Sequence, residues 1–167
     1  MIELVHRNID FEKDRDYVLE CHCRVNYACD APWMRKLPYE DYRRQWFGLN
    51  SQITGFYWAL QTTARDGRAL AEILDLKDGS RAGYLWAVFE KDTESGFAFA
   101  ELREIYIEPE LRRQGLSAQA YAYVEAWART QGAAALRAGT GCENAASIAM
   151  HEQMGFYTYR LEFEKEL

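Results

Sequence analysis

The sequence predicts an α/β fold: a mixed, mostly antiparallel central sheet flanked by helices. Three observations carry this. Apolar residues recur at helical spacing between positions 11 and 65, the period then drops to two around an Asp78-Gly79 turn, and beyond residue 97 strands and helices alternate. No repeat, low-complexity tract or linker interrupts the 167 residues, so residues 1–167 read as a single domain.

In order, residues 2–8 predict a strand in which Ile2 and Leu4 alternate with polar neighbours. Asp10 is placed to cap a helix over 11–27, with Val18, Cys21 and Val25 on its apolar spacing. The connection Asp30-Ala31-Pro32 leads to a helix after Pro38 with early acids Glu40 and Asp41, ending near Gly48-Leu49-Asn50. Ser51 is placed to cap a third helix, 52–65, closed by Asp66-Gly67. Segments 69–76 and 81–89 flank Asp78-Gly79 as a hairpin, and 97–107 is a long strand. A helix over 117–131 turns Ala120, Val124, Trp127 and Ala128 to one face and stops at Gly132. A short strand (134–138), a short helix (144–153) and a last strand (156–165) with alternating Leu161 and Phe163 complete the chain.

Composition narrows the function. Hydrophobic residues make up 49% and charged residues 28%, as in ordinary soluble domains. No apolar stretch has the length of a membrane span, and Met1-Ile2-Glu3-Leu4-Val5-His6 lacks a signal-peptide pattern, so a cytoplasmic protein with no membrane partner is expected. A net charge of −6 argues against nucleic acid and suits attraction of amines or basic peptides. Cys21-His22-Cys23 is too tightly spaced for a zinc pair, and no second pair follows among the four cysteines; no metal is expected, and the thiols read as reduced and partly buried.

The richest stretch is Ile105-Tyr106-Ile107-Glu108-Pro109-Glu110-Leu111-Arg112-Arg113-Gln114-Gly115-Leu116-Ser117. An apolar strand enters a turn with two arginines and a glycine, then a serine placed to cap a helix. Free N–H groups, a helix N-terminus and guanidinium charge are what a pyrophosphate needs. A plain strand-to-helix connection with surface arginines has the same residues. The Gly-Lys-Ser/Thr ending of a nucleotide-hydrolysing loop and the Gly-x-Gly-x-x-Gly of a dinucleotide fold are both absent.

Arg112-Arg113-Gln114-Gly115-Leu116-Ser117 resembles the Gln/Arg-x-x-Gly-x-Gly/Ala motif of the GNAT superfamily of N-acetyltransferases. Asn144 through Gly155-Phe156 is similar to that family's later motif. Ser117 stands where the family has Gly or Ala, and His151 where it commonly has the Tyr that protonates the departing thiolate. The resemblance implies a helical, substrate-facing part at 1–67 and a core at 68–167 that binds acetyl-CoA. Backbone groups of Ile105, Tyr106 and Ile107 would pair with the pantetheine arm, and the amides around Arg112, Arg113, Gln114, Gly115, Leu116 and Ser117 would hold the pyrophosphate. Asn144 would contact the pantetheine or cap its own helix.

Acetyl would pass directly to a primary amine in a ternary complex. Glu101 is the first choice of base, at a strand position where the family often places one; Glu104 sits nearer the thioester and is the second, on the opposite face by plain alternation unless a bulge of the kind common in the family rotates it. His151 would be the acid, or a neutral N–H donor to sulfur. The first-half aromatics Tyr27, Trp33, Tyr39, Tyr42, Trp46, Phe56, Tyr57 and Trp58 either line an acceptor pocket or fill the core. The acceptor is a small-molecule or peptide amine, and a homodimer is open. A non-catalytic acyl-CoA-binding module is the rival reading.

Overall fold

A computed structural model describes residues 2–30, 36–48, 50–165 and 167, with the side chains of 50–53 left aside. Among the described residues, five strands, β1 (Val5–Asn8), β2 (Ala69–Asp75), β3 (Arg81–Lys91), β4 (Ala98–Ile107) and β5 (Ala135–Ala138), form one sheet in chain order. The first four are antiparallel neighbours; β5 runs parallel to β4. The helices are α1 (Arg15–Cys29), α2 (Tyr39–Gly48), α3 (Asn50–Arg65), α4 (Leu116–Thr130) and α5 (Ala145–Gln153). Among the described residues, no helix is long and apolar enough to cross a membrane.

Alternation in the strands builds two cores. Ile73, Tyr84, Trp86, Val88 and Tyr106 pack with Val18, Leu19, Trp46 and Leu60 of α1–α3. Leu70, Leu74, Leu85, Ala87, Leu102 and Ile107 pack under Ala120, Tyr121 and Val124 of α4. Each fully buried large side chain contributes roughly 1.5–3 kcal/mol, so both sides of the sheet are held firmly. Gly83 shows how closely β3 and β4 approach: a Cβ there would lie 1.9 Å from the Tyr106 carbonyl oxygen.

Four expectations change. The first helix starts at Arg15, not 11, because the Asp10 side chain caps an earlier turn through the N–H groups of Glu12 and Lys13, both at 3.1 Å. Asp14 is instead drawn inward, where it accepts from Arg7 (2.6 and 3.0 Å), Arg81 (2.9 Å) and the Asp10 N–H (2.9 Å). The third helix already includes Asn50, so Ser51 lies inside it rather than at its cap. Likewise Gly115, at φ 80, occupies the N-cap of α4, and Ser117 falls within the first turn without capping it. Finally, residues 156–165 form no strand. The apolar alternation is present, but extended chain becomes a strand only where a neighbour supplies hydrogen bonds, and Tyr157, Leu161 and Phe163 stay exposed. The Ala31-Pro32 connection and Trp33 lie outside the described residues.

Candidate active site

β4 and β5 pair only from Phe99↔Ala135 to Leu102↔Ala138, and β4 then runs on to Ile107. The edge from Arg103 to Ile107 therefore has no strand beside it among the described residues. Unpaired backbone groups call for a partner, and an extended amide-bearing arm can supply it as an added strand. One group on this edge is already engaged: Arg112 Nε donates to the Ile107 carbonyl at 2.8 Å, its guanidinium lying over the Tyr106 ring. Past β5, Thr140 Oγ1 is buried without a hydrogen-bond partner. The following Gly141 seats this loop against α1, since a Cβ there would meet the Cys29 carbonyl at 2.9 Å.

Beyond Ile107 a single 3-10 turn (Pro109–Leu111) leads into the loop before α4. Arg113 adopts φ 62 and Gly115 φ 80, two left-handed positions that turn the chain abruptly into the helix. Gln119 N–H bonds the Gly115 carbonyl at 3.1 Å, so the earlier amides of Leu116, Ser117 and Ala118 precede the first intrahelical bond. Arg113 and Gln114 are exposed beside them, Gln114 Nε2 donating to the Glu110 carbonyl at 3.2 Å. Orphan donors at a helix start form an anion site by geometry alone. Asn144 caps α5, its side chain accepting from Ser147 N–H at 3.3 Å.

On the other side of the sheet the two glutamates sit together. A register shift between Trp86 and Ala87 bulges β4 at Arg103, pairing Trp86 with Glu104 and Val88 with Glu101. Plain alternation separates the two carboxylates; the bulge puts both on the α1–α3 face while Leu102 stays under α4. Their surroundings differ. Glu101 is exposed at the surface and bonded by Arg103 Nε at 3.0 Å, with Arg103 also reaching Glu90 at 3.1 Å. Glu104 is 8% exposed. Its Oε1 meets His22 Nδ1 of α1 and its Oε2 accepts from the Tyr84 hydroxyl of β3. Burial, with Glu104 beside it, pushes the Tyr84 phenol well above its ordinary range, so Tyr84 remains a donor.

The aromatics of the first half mostly build this wall rather than an open pocket. Tyr42, Trp46 and Tyr57 are buried, Tyr27, Tyr39 and Phe56 pack against them, and Trp58 is exposed. His22 stacks on Phe56 with ring centroids 3.5 Å apart and meets Trp46 edge-on at 5.4 Å. Its place opposite Glu104 has no signal in the sequence, because the two lie 82 residues apart.

His151 lies on the α4 side. Nδ1 is 2.7 Å from the Ser147 carbonyl, which can only accept, so Nδ1 carries a proton; Nε2 is 2.7 Å from the Tyr121 hydroxyl. In the neutral ring Tyr121 donates to Nε2. Tyr121 is buried, which pushes its phenol upward, and Phe156 closes the edge-to-face trio. Tyr121 was legible only as one more helical residue.

The profile of the Acetyltransferase (GNAT) family matches residues 32–156, beginning before α2 and stopping short of the exposed tail. A curated relative, aminoglycoside N(6')-acetyltransferase type 1 of Acinetobacter genomosp. 13, is 35% identical over 68 residues, 40% of this chain and 47% of that protein; the match thus spans about half its length. A putative acetyl transferase from Pyrococcus furiosus superposes with TM-score 0.71 at 18% identity, covering 99% of this chain and all of the other. AAC(6')-Iy, solved with the bisubstrate analog CoA-S-monomethyl-acetylneamine, superposes at 0.64 with 17% identity, covering 100% and 99%.

Proposed function

This chain belongs to the GNAT acetyltransferase family, and from that premise we propose that it moves an acetyl group from acetyl-CoA to a primary amine of a small molecule. The observation that carries the reading is the open edge of β4, Arg103 to Ile107, followed along the chain by the unbonded amides at the start of α4. The acceptor class rests on the aminoglycoside acetyltransferases among the relatives and on the carboxylate-bearing α1–α3 face, which favours a cation. Residues 1–67 are the acceptor side of the domain and 68–167 the cofactor side.

The fit to acetyl-CoA can be followed residue by residue. Main-chain groups of Ile105 to Ile107 bond the amide-bearing arm, and the unpartnered Thr140 Oγ1, two residues past β5, is a candidate further partner. Amides from Arg113 to Ser117 receive the pyrophosphate, and Arg113 adds charge; Arg112 holds the end of β4 in place. Acetyl-CoA supplies an activated thioester carbonyl, and a main-chain N–H near Ile107 is positioned to polarise it.

An alkylammonium of pKa ~10 must shed a proton before it attacks. Glu104, buried and doubly hydrogen-bonded on the acceptor face, is the carboxylate that supports this step ahead of Glu101, which Arg103 neutralises at the surface. On the far side, protonation of His151 reverses its bond to Tyr121: the imidazolium donates at Nε2, and the phenolic proton is released toward the leaving sulfur.

The test is calorimetry with coenzyme A, then thiol release from acetyl-CoA with a panel of neamine, spermidine and a lysine peptide. Acceptor-dependent release with neamine or spermidine supports the reading. Release with the peptide alone moves the acceptor to proteins. Binding without release makes the protein a non-catalytic acyl-CoA-binding module, and no uptake of coenzyme A overturns the assignment.

A further inference from the structure

We propose that His22, oriented by Glu104, is the group that takes the proton from the acceptor amine. The inference rests on the acetyltransferase reading and deepens it at the acceptor face. It gives a role to the histidine between Cys21 and Cys23, both buried thiols, of which burial pushes the first well above its ordinary range.

Both oxygens of Glu104 are occupied, Oε1 at His22 Nδ1 and Oε2 at Tyr84 Oη. Buried and with each oxygen already hydrogen-bonded, this carboxylate meets the acceptor side through those partners. It is well suited to fix an imidazole as the Nδ1–H tautomer and to stabilise that ring once protonated, the role a carboxylate plays behind a catalytic histidine. With Nδ1–H donating to Glu104, the lone pair is at Nε2, and there the Asn26 amide lies one helical turn on, Nδ2 at 3.2 Å. An amide side chain can serve both states. Its NH2 donates to the neutral ring, and after a half-turn its carbonyl accepts from the protonated one.

The ring plane is fixed by Phe56, parallel to within 5°, and by the edge of Trp46. The side chain is 12% exposed, a sheltered group at the rim of the acceptor face rather than a sealed one. Among the described residues, the titratable group facing it is Glu104 from β4, with Tyr84 of β3 and Cys21 of α1 acting on that same carboxylate; α2 and α3 present the rings of Trp46 and Phe56.

The protons balance. The ammonium gives one proton to Nε2, and its freed lone pair attacks the thioester carbonyl carbon. The C–S bond breaks, the nitrogen's second proton offsets the one taken up by the thiolate, and amide and thiol leave. The imidazolium then returns its proton to solvent, so one proton is released per acetyl transferred.

His22→Asn is the discriminating variant, because its amide N–H can still reach Glu104 while the side chain no longer titrates. With the best acceptor of the amine panel, kcat should fall at least about 100-fold while the KM for acetyl-CoA stays within about threefold. The acidic limb of the wild-type pH–rate profile should disappear, leaving a rate that rises with the fraction of free amine. In parallel, 15N NMR of the imidazole rings in the wild-type chain should show His22 protonated at Nδ1, with Nε2 the titrating nitrogen, and Glu104→Gln should change that titration. A His22→Asn enzyme that keeps the limb and its turnover within threefold overturns the proposal, as does an Nε2–H tautomer of the neutral ring. The NMR result stands if the variant does not fold. Wild-type protein that releases no thiol with any amine defeats the acetyltransferase reading instead, while the tautomer still decides whether the dyad exists.

Discussion

Leu102 and Ala138 are the last registered pair between β4 and β5. Past them the two strands part, and two residues beyond β5 the buried Thr140 hydroxyl has no hydrogen-bond partner. An orphan of this kind makes opposite demands on stability and binding. A buried Oγ without a partner costs about 1–3 kcal/mol of desolvation, so its removal should leave the free protein unharmed.

Thr140→Val keeps the shape and deletes the polar atom. Thermal unfolding should show a Tm unchanged or raised by a few degrees, while calorimetry should show coenzyme A affinity lowered by about 5–10-fold. A loss of stability with unchanged affinity would mean that the hydroxyl is satisfied within the protein.

The two glutamates should separate cleanly in kinetics. Glu104→Gln breaks the carboxylate between His22 and Tyr84, and kcat should drop by about 100-fold or more, in the range of general-base losses. Glu101→Gln removes only a screened surface partner of Arg103 and should leave kcat within about threefold. Steady-state rates of both variants at saturating acetyl-CoA decide between them; the reverse order would move the proton-transfer site to Glu101.

Asp14 ties β1, β3 and the start of α1 together. Burial raises its carboxyl, but hydrogen bonds from Arg7 and the Asp10 N–H and the charge of Arg81 outweigh that and hold it below its ordinary value. A carboxyl depressed in the fold adds stability that is fully present above its unfolded value near ~3.9 and is lost as pH falls through the folded value. Asp14→Asn should cost about 3 kcal/mol at pH 7, the low end for a buried ion pair because Arg7 and Arg81 are each 38% exposed. Urea midpoints at pH 7 and pH 3 check this: the wild type should lose more on acidification than the variant does.

How much of this was legible in the sequence varies with the range of the interaction. The hairpin at Asp78-Gly79, α2 to α4 and the loop at Gly115 follow from local spacing and backbone preference. The bulge at Arg103 does not, since it depends on β3 holding Trp86 and Ala87 in a shifted register, and without it the two glutamates fall on different faces. The inward turn of Asp14, which delays α1, depends on arginines 7 and 67 residues away. His22 and Glu104 could be brought together only by the packing of α1 on β4. The tail at 156–165 errs the other way: its alternation is a local signal, and strand formation needs a neighbour that no local signal supplies.

His151 tests the cofactor side. Its two nitrogens are held by the Ser147 carbonyl and the Tyr121 hydroxyl, so ring and phenol should act as one unit toward the departing sulfur. His151→Ala and Tyr121→Phe should each lower kcat by about 10–100-fold while coenzyme A affinity stays within about threefold. The double variant should fall little further, because groups sharing one proton path are not additive. Pre-steady-state thiol release and calorimetry on all three measure this. If His151→Ala weakens coenzyme A binding as much as it lowers kcat, the histidine holds the cofactor in position and delivers no proton.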